Sequence, residues 1–272
     1  MEFSSIMAYG IRYKSNNGKM IEKSFQTMYH YTDMNALPNI LRQDKIVLWG
    51  TNCLYLNDRQ EIKEGISIVR KVLNIELQQG AFRNYYITSF SGNGDEMSMW
   101  RMYASDGHGC ALGFNPKLVY LPSSDIFDFC SVCKYGEEVL QDLKTELKFA
   151  KLTNHSLDKD DKVQSYNNQE QDVNNFLVDT CVSIKNHAFK IEQEVRGVKY
   201  QNDYGKVKAR VKNGIIIPYI EVEIPKEALT EIILGPTNDS DLSMLSIIHH
   251  LKRCGYKKED IRIVNSKVPY GG

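Results

Sequence analysis

Glu192, Glu194 and Arg196 occupy alternate positions in the segment FKIEQEVRGV. In a β-strand this spacing puts both carboxylates and the guanidinium on one face. Such a face is poorly suited to a core, so the simpler prediction is a solvated strand face with a charge ladder. The alternative is a paired-carboxylate site, in which one acid raises the pKa of the other and the arginine keeps one of them ionised.

His30 is the second candidate for chemistry, because it lies between two tyrosines at the end of the β-prone run in MYHYTDMNALPNIL. A lone histidine near apolar residues is more often a hydrogen-bonded core group than a catalyst. Its position favours a site nevertheless, since strand ends that lead into helices are where mixed folds usually bind ligands.

Hydroxyl and aromatic side chains supply the remaining candidates. Ser89 and Ser91 in ITSFS could hydrogen-bond a ribose or phosphate, although such residues are also common at strand ends for ordinary reasons. Trp100 and Tyr103 in MWRMYASDGHGCALGF could contact a ring, which the nearby glycines would let the backbone approach closely. The competing prediction is that the two aromatics pack in the core, and it is stronger for Trp100.

Missing motifs and the balanced charge argue against several classes of protein. The chain has no P-loop, no G-x-G-x-x-G, no H-E-x-x-H and no G-x-S-x-G, which argues against kinases, dinucleotide oxidoreductases, zinc proteases and α/β-hydrolases. Cys130 and Cys133 form a C-x-x-C without a second pair, so structural zinc is a minor alternative. Lys plus Arg and Asp plus Glu both number 34, so we expect no broad basic face for nucleic acid.

The sequence also predicts the compartment. Its 6 cysteines are scattered over 272 residues, which favours reduced thiols over a disulfide framework. No apolar run approaches the roughly 20 residues of a membrane helix, and the N-terminus lacks the features of a signal peptide. We expect a cytoplasmic protein without a membrane partner.

The elements that must position these residues alternate between β-prone and helical segments. Strands are predicted in TMYHYT, KIVLWGT, NYYITSFS, GCALGF, KIEQEVRGVKY, the two halves of a hairpin around Asn213 and Gly214, TEIILGP and IRIVNSKVPY. Helices are predicted in DMNALPNILRQ, LNDRQEIKEGISIVRKVLNIELQQ with Asn57 or Asp58 as its cap, DEMSMWRMYAS, GEEVLQDLKTELKFAK, VNNFLVDTCVSIKNHAF and DSDLSMLSIIHHLKRCGY.

These elements predict one α+β domain. Residues 1–24 read as a polar leader, and residues 25–272 as a single domain with a polar loop or insertion around 151–172 that has almost nothing to bury. With neither an internal repeat nor a clean linker, the mixture predicts a split, mostly antiparallel β-sheet flanked by helices.

A set of segments carries a resemblance to a known family. YHYTDMNALPNIL, YLNDRQE, YYITSFS, MSMWRMYASDGHGCALGF, EQEVRG, EIILGP and VNSKVPYG, in this order, resemble a widespread bacterial domain family of unknown function from about Met28 to Tyr270. That family in turn resembles the ADP-ribosyltransferase fold. The resemblance implies a split-sheet enzyme that grips its substrate NAD in the cleft between two halves.

The same resemblance implies roles for the candidate binding residues. His30 would hold the nicotinamide-side ribose, Ser89 and Ser91 resemble a central Ser-Thr-Ser element, and Tyr103 would stack on nicotinamide. The remaining residues that we expect at the NAD site are Tyr31, Thr32, Trp100 and Arg196.

Glu194, with Glu192 two positions before it, resembles the Glu-x-Glu of transferases that modify arginine or other side chains. Glu194 would face the oxocarbenium-like ribose that forms as nicotinamide leaves, and Glu192 would orient or deprotonate the acceptor. Arginine-modifying members carry Arg at the position of His30, and histidine-bearing members usually have one late Glu. The acceptor, whether protein, nucleic acid, small molecule or water, therefore stays open.

Three functions follow from these observations. The first is an ADP-ribosyltransferase-like enzyme or NAD glycohydrolase that needs no metal, serving as a toxin or phage-defence effector with a potential antitoxin partner. The second is a non-catalytic nucleotide- or peptide-binding module of the same fold. The third is a metal-dependent nuclease with Asp58, Glu61, Glu192 and Glu194 around magnesium.

Overall fold

The structure is a computed structural model that describes residues 25–56, 61–73, 76–120, 125–135, 175, 177–237 and 240–269. The predicted leader, the polar loop around 151–172, the helix predicted in GEEVLQDLKTELKFAK and the cap at Asn57 or Asp58 lie outside these residues. None of the helices in the described ranges is long and apolar enough to cross a membrane.

A ten-stranded, mostly antiparallel sheet dominates the described chain and confirms the α+β prediction. Its strands are β1 (Met28–Thr32), β2 (Ile46–Asn52), β3 (Tyr85–Ser91), β4 (Cys110–Phe114), β5 (Phe129–Val132), β8 (Glu194–Tyr200), β9 (Lys208–Lys212), β10 (Ile215–Ile224), β11 (Leu229–Leu234) and β12 (Arg262–Asn265). The order is β12-β11-β4-β1-β3-β2-β10-β9, while β8 pairs with β3 and β5 pairs with β8. The pair β11 and β12 is parallel. A separate parallel pair joins β6 (Lys134–Tyr135) to β7 (Ile184–Lys185).

Helices cover both faces of this sheet. They are α1 (Leu37–Ile40), α2 (Glu61–Leu73), α3 (Met97–Tyr103), α4 (Pro116–Val119) and α5 (Ser240–Arg253), with a further helical segment at 177–181. Short 3-10 helices lie at Cys53–Tyr55, Gln79–Phe82, His187–Glu192, Tyr204–Lys206, Lys226–Ala228 and Lys258–Asp260. One core cluster packs α1, α4 and α5 against the sheet. A second packs α2 against the segment 177–181, and a third surrounds Trp100 of α3.

The predicted hairpin is confirmed between β9 and β10. Asn213 and Gly214 link the strands with φ of 51° and 73°. Both central residues of a type I′ turn need positive φ, which asparagine and glycine adopt more readily than other residues.

The sheet divides at the edge of β3. β8 pairs with β3 along its whole length on one edge, so β1 and β2 must share the other edge. There β1 reaches only Ser91, whereas β2 pairs with Tyr86 and Ile87. Residues 88–90 therefore have no ladder partner on that edge among the described strands. The divergence of β1 and β2 leaves a gap in the middle of the sheet.

The helix predicted in VNNFLVDTCVSIKNHAF is too long. The helical segment stops at 181, Ile184 belongs to β7, and Ala188 lies in a 3-10 helix. Pairing of β7 with β6 replaces helical hydrogen bonds here. This pairing has a consequence for the site, because it directs Lys185 into the interior.

Gly65 brings α2 close to the segment 177–181. A Cβ atom at Gly65 would lie 2.8 Å from the carbonyl oxygen of Cys181 and 3.0 Å from its Cα. These are backbone atoms, which cannot move aside as the end of a flexible side chain can.

Gly65→Ala should therefore lower the free energy of unfolding by about 1–3 kcal/mol through overpacking, although alanine favours a helix over glycine by up to about 1 kcal/mol. Urea denaturation measures this difference. Gly80→Ala is the matched control, since a Cβ there meets nothing within 4 Å. Equal stability of the two variants would contradict the close approach of α2.

Candidate functional site

A pocket of about 110 Å³ opens where β1 and β2 diverge from β3. Side chains from both halves of the divided sheet, from α3 and from the segment around β7 and β8 meet there. The lining residues are Tyr29, His30, Tyr31, Leu56, Glu61, Ser89, Phe90, Ser91, Met99, Tyr103, Lys185, Glu192 and Glu194. Three residues predicted from distant parts of the chain, His30, Tyr103 and Glu194, thus lie around one cavity.

His30 lies at the gap in the sheet and hydrogen-bonds to its edge. The Nδ1 atom of His30 lies 3.0 Å from the carbonyl oxygen of Ser89, which can only accept a hydrogen bond. Nδ1 therefore carries the proton and Nε2 is free of it in the neutral ring. Burial lowers the pKa of His30 and outweighs the opposing effect of the Ser89 hydrogen bond. The ring is thus neutral at pH 7, with Nε2 as an acceptor.

Tyr103 reaches the pocket because α3 is fixed by its buried face. Trp100 is fully buried, donates from Nε1 to Asp95 at 2.9 Å, and packs edge-on against Tyr31 with ring centres 4.8 Å apart. Met99 and Tyr103 are four residues apart, so they lie on the same side of the helix and both line the pocket. Tyr103 donates its hydroxyl to Oε1 of Glu192 at 3.3 Å.

The pocket wall contains a buried cluster of three carboxylates around one ammonium group. Nζ of Lys185 lies 2.6 Å from Glu192 Oε2, 2.8 Å from Glu194 Oε2 and 3.4 Å from Glu61 Oε1. All four side chains are at most 6% exposed. We refer to these four residues together with Arg196 as the ionic network.

Arg196 closes the ionic network from the side away from the pocket. Its guanidinium donates to both oxygens of Glu194, to Glu61 Oε2 at 2.6 Å and to the carbonyl of Val182 at 2.8 Å. The fork geometry of arginine suits such a multiple contact. Glu61 and Glu194 are therefore fixed relative to each other although they are remote in sequence.

The prediction of a solvated strand face is wrong. Glu192 and Glu194 are each 4% exposed and Arg196 is 1% exposed. The prediction that all three share one strand is also wrong, because Glu192 ends a 3-10 helix and Gln193 adopts a left-handed conformation with φ of 44° before β8 begins. The two carboxylates converge because both bind Lys185, and strand alternation relates only Glu194 to Arg196.

The environment separates the pKa values of the two carboxyl groups. Burial is the largest influence on Glu192 and raises its pKa, which Lys185 offsets only in part. Burial acts on Glu194 as well, but Arg196 and Lys185 outweigh it and hold the pKa of this carboxyl well below its usual range. Burial alone would lower the pKa of Lys185, yet Glu194 and Glu61 reverse the effect and keep it charged.

The other predicted site residues divide into two groups. Tyr31, Ser89 and Ser91 line the pocket, and Ser91 donates its hydroxyl to the carbonyl of Glu192 at 2.7 Å. Thr32, Trp100 and Arg196 are buried beside or behind the pocket without lining it. They can support the wall but do not reach the cavity in this conformation.

The glycines after α3 have a different use from the one that the sequence suggested. A Cβ atom at Gly109 would lie 2.1 Å from the carbonyl oxygen of Thr32, and one at Gly113 would lie 2.9 Å from Thr27. The missing side chains of Gly109 and Gly113 make room for Thr32 and Thr27 of the same chain. Neither glycine lines the pocket, so neither brings the backbone close to a ligand ring there.

Lys185 is the residue that sequence reasoning missed. It follows the mostly apolar run CVSI in a segment predicted as helix, where a lysine is expected to have an exposed side chain. The sequence-based hypotheses include Glu61 only as a magnesium ligand. Neither residue shows a local pattern for burial. The cations that pair with Glu61 are remote in sequence, and Lys185, although only 7 and 9 residues from Glu192 and Glu194, meets them through the turn of the chain between β7 and β8.

The position of Lys185 argues against the predicted magnesium site at Glu61, Glu192 and Glu194. Glu61, Glu192 and Glu194 do converge, but the ammonium group of Lys185 occupies the space between them. No group of three or more His, Cys, Asp or Glu residues in the described ranges is arranged to hold a metal ion. Asp58 lies outside those ranges.

The cysteines do not assemble a zinc site in the described chain. All 6 are buried and free. Cys133 of the C-x-x-C donates a hydrogen bond from its thiol to Glu194 at 3.6 Å. Cys254 donates to the carbonyl of Leu41 at 3.3 Å, so the two cysteines have different hydrogen-bond partners.

A comparison with protein families finds a match over about a third of the chain. A family model with the description "Protein of unknown function (DUF2971)" matches residues 99–197. The match spans Tyr103, Lys185, Glu192, Glu194 and Arg196, and ends before β8 does. No curated protein and no solved structure gave a significant match.

Lys185→Met should lower the free energy of unfolding by about 3–5 kcal/mol, because the buried carboxylate of Glu192 then loses its cation while Glu61 and Glu194 keep only Arg196. Denaturant titration at pH 7 measures the loss. Lys45→Met is the control, since Lys45 forms an exposed pair with Glu223 at 2.6 Å and its removal should leave stability nearly unchanged. Similar small effects for both variants would show that the ionic network contributes little.

The depressed pKa of Glu194 predicts a pH dependence. The unfolded chain takes up a proton on this carboxyl near pH 4.3, whereas the folded protein does not, so the stability from Glu194 is present above about pH 4.3 and declines as the pH falls below it. Glu194→Gln removes this contribution.

The stability gap between the wild type and Glu194→Gln should therefore be largest at pH 7 and shrink between about pH 4 and pH 3. Denaturant titrations over this range test the sign. Glu223→Gln, at an exposed pair, serves as the control. A gap that is constant with pH would mean that the carboxyl of Glu194 is not preferentially ionised in the folded state.

Proposed function

We propose that the protein cleaves NAD at the bond between nicotinamide and ribose, and transfers ADP-ribose to water or to an acceptor. The observation that carries the proposal is the meeting of His30, Tyr103 and Glu192 around one pocket, with Ser89 and Ser91 beside them. A neutral imidazole, an aromatic ring, a carboxylate and hydroxyl groups are the groups that such a reaction uses.

The size of the pocket supports a specific part of NAD as the occupant. At about 110 Å³ it is smaller than the roughly 300–1,000 Å³ of common ligand pockets, so it suits a single ring-sized group. Nicotinamide is such a group. The remainder of the dinucleotide would then lie outside this pocket.

The charge of the pocket wall favours a cationic ligand. With all groups ionised, Glu61, Glu192 and Glu194 carry three negative charges against the two positive charges of Lys185 and Arg196, which leaves one negative charge in the ionic network. The nicotinamide ring of NAD is positively charged, and the ribose becomes positive as nicotinamide leaves. A fixed negative charge in a desolvated wall stabilises that transition state.

Glu192 takes the part of the reacting carboxylate in this proposal. Both oxygens of Glu194 bind Arg196, and Oε2 also binds Lys185, so little capacity is left for a ligand. Glu192 binds Lys185 through Oε2, but its Oε1 accepts only a long 3.3 Å hydrogen bond from Tyr103. Glu194 then acts as the charge that holds Lys185 and Arg196 in place.

His30 and Tyr103 complete the arrangement. The unprotonated Nε2 of His30 would accept a hydrogen bond from a ribose hydroxyl, while its Nδ1 stays bound to Ser89. The ring of Tyr103 would stack on nicotinamide. Burial, and to a smaller extent the negative charge of Glu192, raises the pKa of the Tyr103 hydroxyl, so this hydroxyl stays protonated.

Incubation with NAD labelled in the nicotinamide ring tests the proposal. We expect release of nicotinamide by the wild type, and a decrease in kcat of about 100-fold or more for Glu192→Gln, because glutamine keeps the shape without the charge. Glu223→Gln on β10 is the control and should retain activity. The absence of nicotinamide release from the wild type with water, protein and nucleic acid as acceptors would end the proposal.

One observation favours a non-catalytic nucleotide-binding module instead. Both oxygens of Glu192 have a protein partner in this conformation, which is also the arrangement of a structural carboxylate. Thermal unfolding in the presence of NAD separates the two functions, since a raised Tm without nicotinamide release indicates binding alone.

A further inference from the structure

A second, more open pocket of about 610 Å³ lies next to the first. Tyr29 lines both pockets. The second pocket is also lined by Gly92 and Gln193. Their sequence neighbours Ser91, Glu192 and Glu194 line the first pocket, so both residues lie on the boundary between the two pockets. The two pockets are therefore neighbours, separated by the side chain of Tyr29 and the backbone at Gly92 and Gln193.

The base of the second pocket holds a buried carboxylate. Glu231 on β11 is 4% exposed and accepts a hydrogen bond from the hydroxyl of Tyr29 at 2.8 Å. Burial and the neighbouring Glu231 raise the pKa of Tyr29 to about 12, so this hydroxyl remains a donor at pH 7. The carboxylate is thus fixed in position by the wall between the two pockets.

Arg262 lies above this carboxylate on the neighbouring strand. Residues 231 and 262 are paired in the register of β11 and β12, and Nη2 of Arg262 forms an ion pair with Oε1 of Glu231. The two partners differ sharply in exposure, since the side chain of Arg262 is 70% exposed. A guanidinium has five N–H donors in a planar fork, so one fixed by a single oxygen can still present donors to a ligand.

We propose that the second pocket binds the pyrophosphate and adenosine half of the dinucleotide, with Arg262 as the phosphate-binding residue and Glu231 and Tyr29 as the groups that orient it. The inference rests on the proposed function and extends it. The small first pocket requires space elsewhere for the phosphates, and the adjoining pocket supplies both the volume and an oriented cation. Arginine is well suited to this role because it binds phosphate oxygens in pairs.

Calorimetry with two fragments of NAD tests this division. The wild type should bind ADP-ribose, and Arg262→Ala should weaken that binding by about tenfold or more while nicotinamide binding is unchanged. Arg262→Lys keeps the positive charge but not the planar guanidinium, so its affinity for ADP-ribose should lie between those of the wild type and Arg262→Ala. Arg42→Ala is the matched control, because Arg42 also pairs with a strand glutamate, Glu221 at 2.9 Å, and lines neither pocket.

Turnover separates this inference from the proposed function. ADP-ribose binding that depends on Arg262, without any release of nicotinamide from NAD, would support the second pocket and reject the enzyme. Nicotinamide release with the same KM for NAD in wild type and Arg262→Ala would support the enzyme and overturn the second pocket. Lack of ADP-ribose binding by the wild type would overturn the second pocket as well.

Discussion

The ammonium group of Lys185, held between three buried carboxylates, is the interaction on which the candidate site depends. Glu61 comes from α2, Lys185 from β7, and Glu192 and Glu194 from the segment that enters β8. Charges buried in this way are costly unless they are paired, so removal of either cation leaves buried carboxylates uncompensated. The ionic network therefore ties together α2, β7 and the start of β8, and it fixes the wall of the pocket as it does so.

The divided sheet supplies the opposite wall. Because β1 and β2 diverge along one edge of β3, the carbonyl of Ser89 has a side chain, His30, as its partner at that edge. This hydrogen bond settles the tautomer of the imidazole. The same gap thus creates the cavity and sets the chemistry of the residue at its mouth.

The two neighbouring pockets share Tyr29 as a lining residue and differ in their charges. With its acids ionised, the first has one more negative than positive charge beside a neutral histidine, and the second has an exposed arginine over a buried glutamate. A ligand with a cationic ring at one end and phosphates in the middle matches this order of charges. The match connects the proposed reaction with the proposed location of the rest of the dinucleotide.

The local pattern of the sequence determined the α+β class, the hairpin at Asn213 and Gly214 and the strand that carries His30, because turn chemistry and periodicity act over a few residues. Tertiary structure alone decided that Glu192 leaves the strand, that Glu194 and Arg196 are buried, and that Lys185 binds both acids. No local signal in the sequence marks these contacts. Glu61 is remote from both cations, and Lys185, although only 7 and 9 residues from Glu192 and Glu194, meets them because β7 pairs with β6 and Gln193 interrupts the strand pattern. The free energy that allows these charges to be buried comes from partners that only the fold brings into contact.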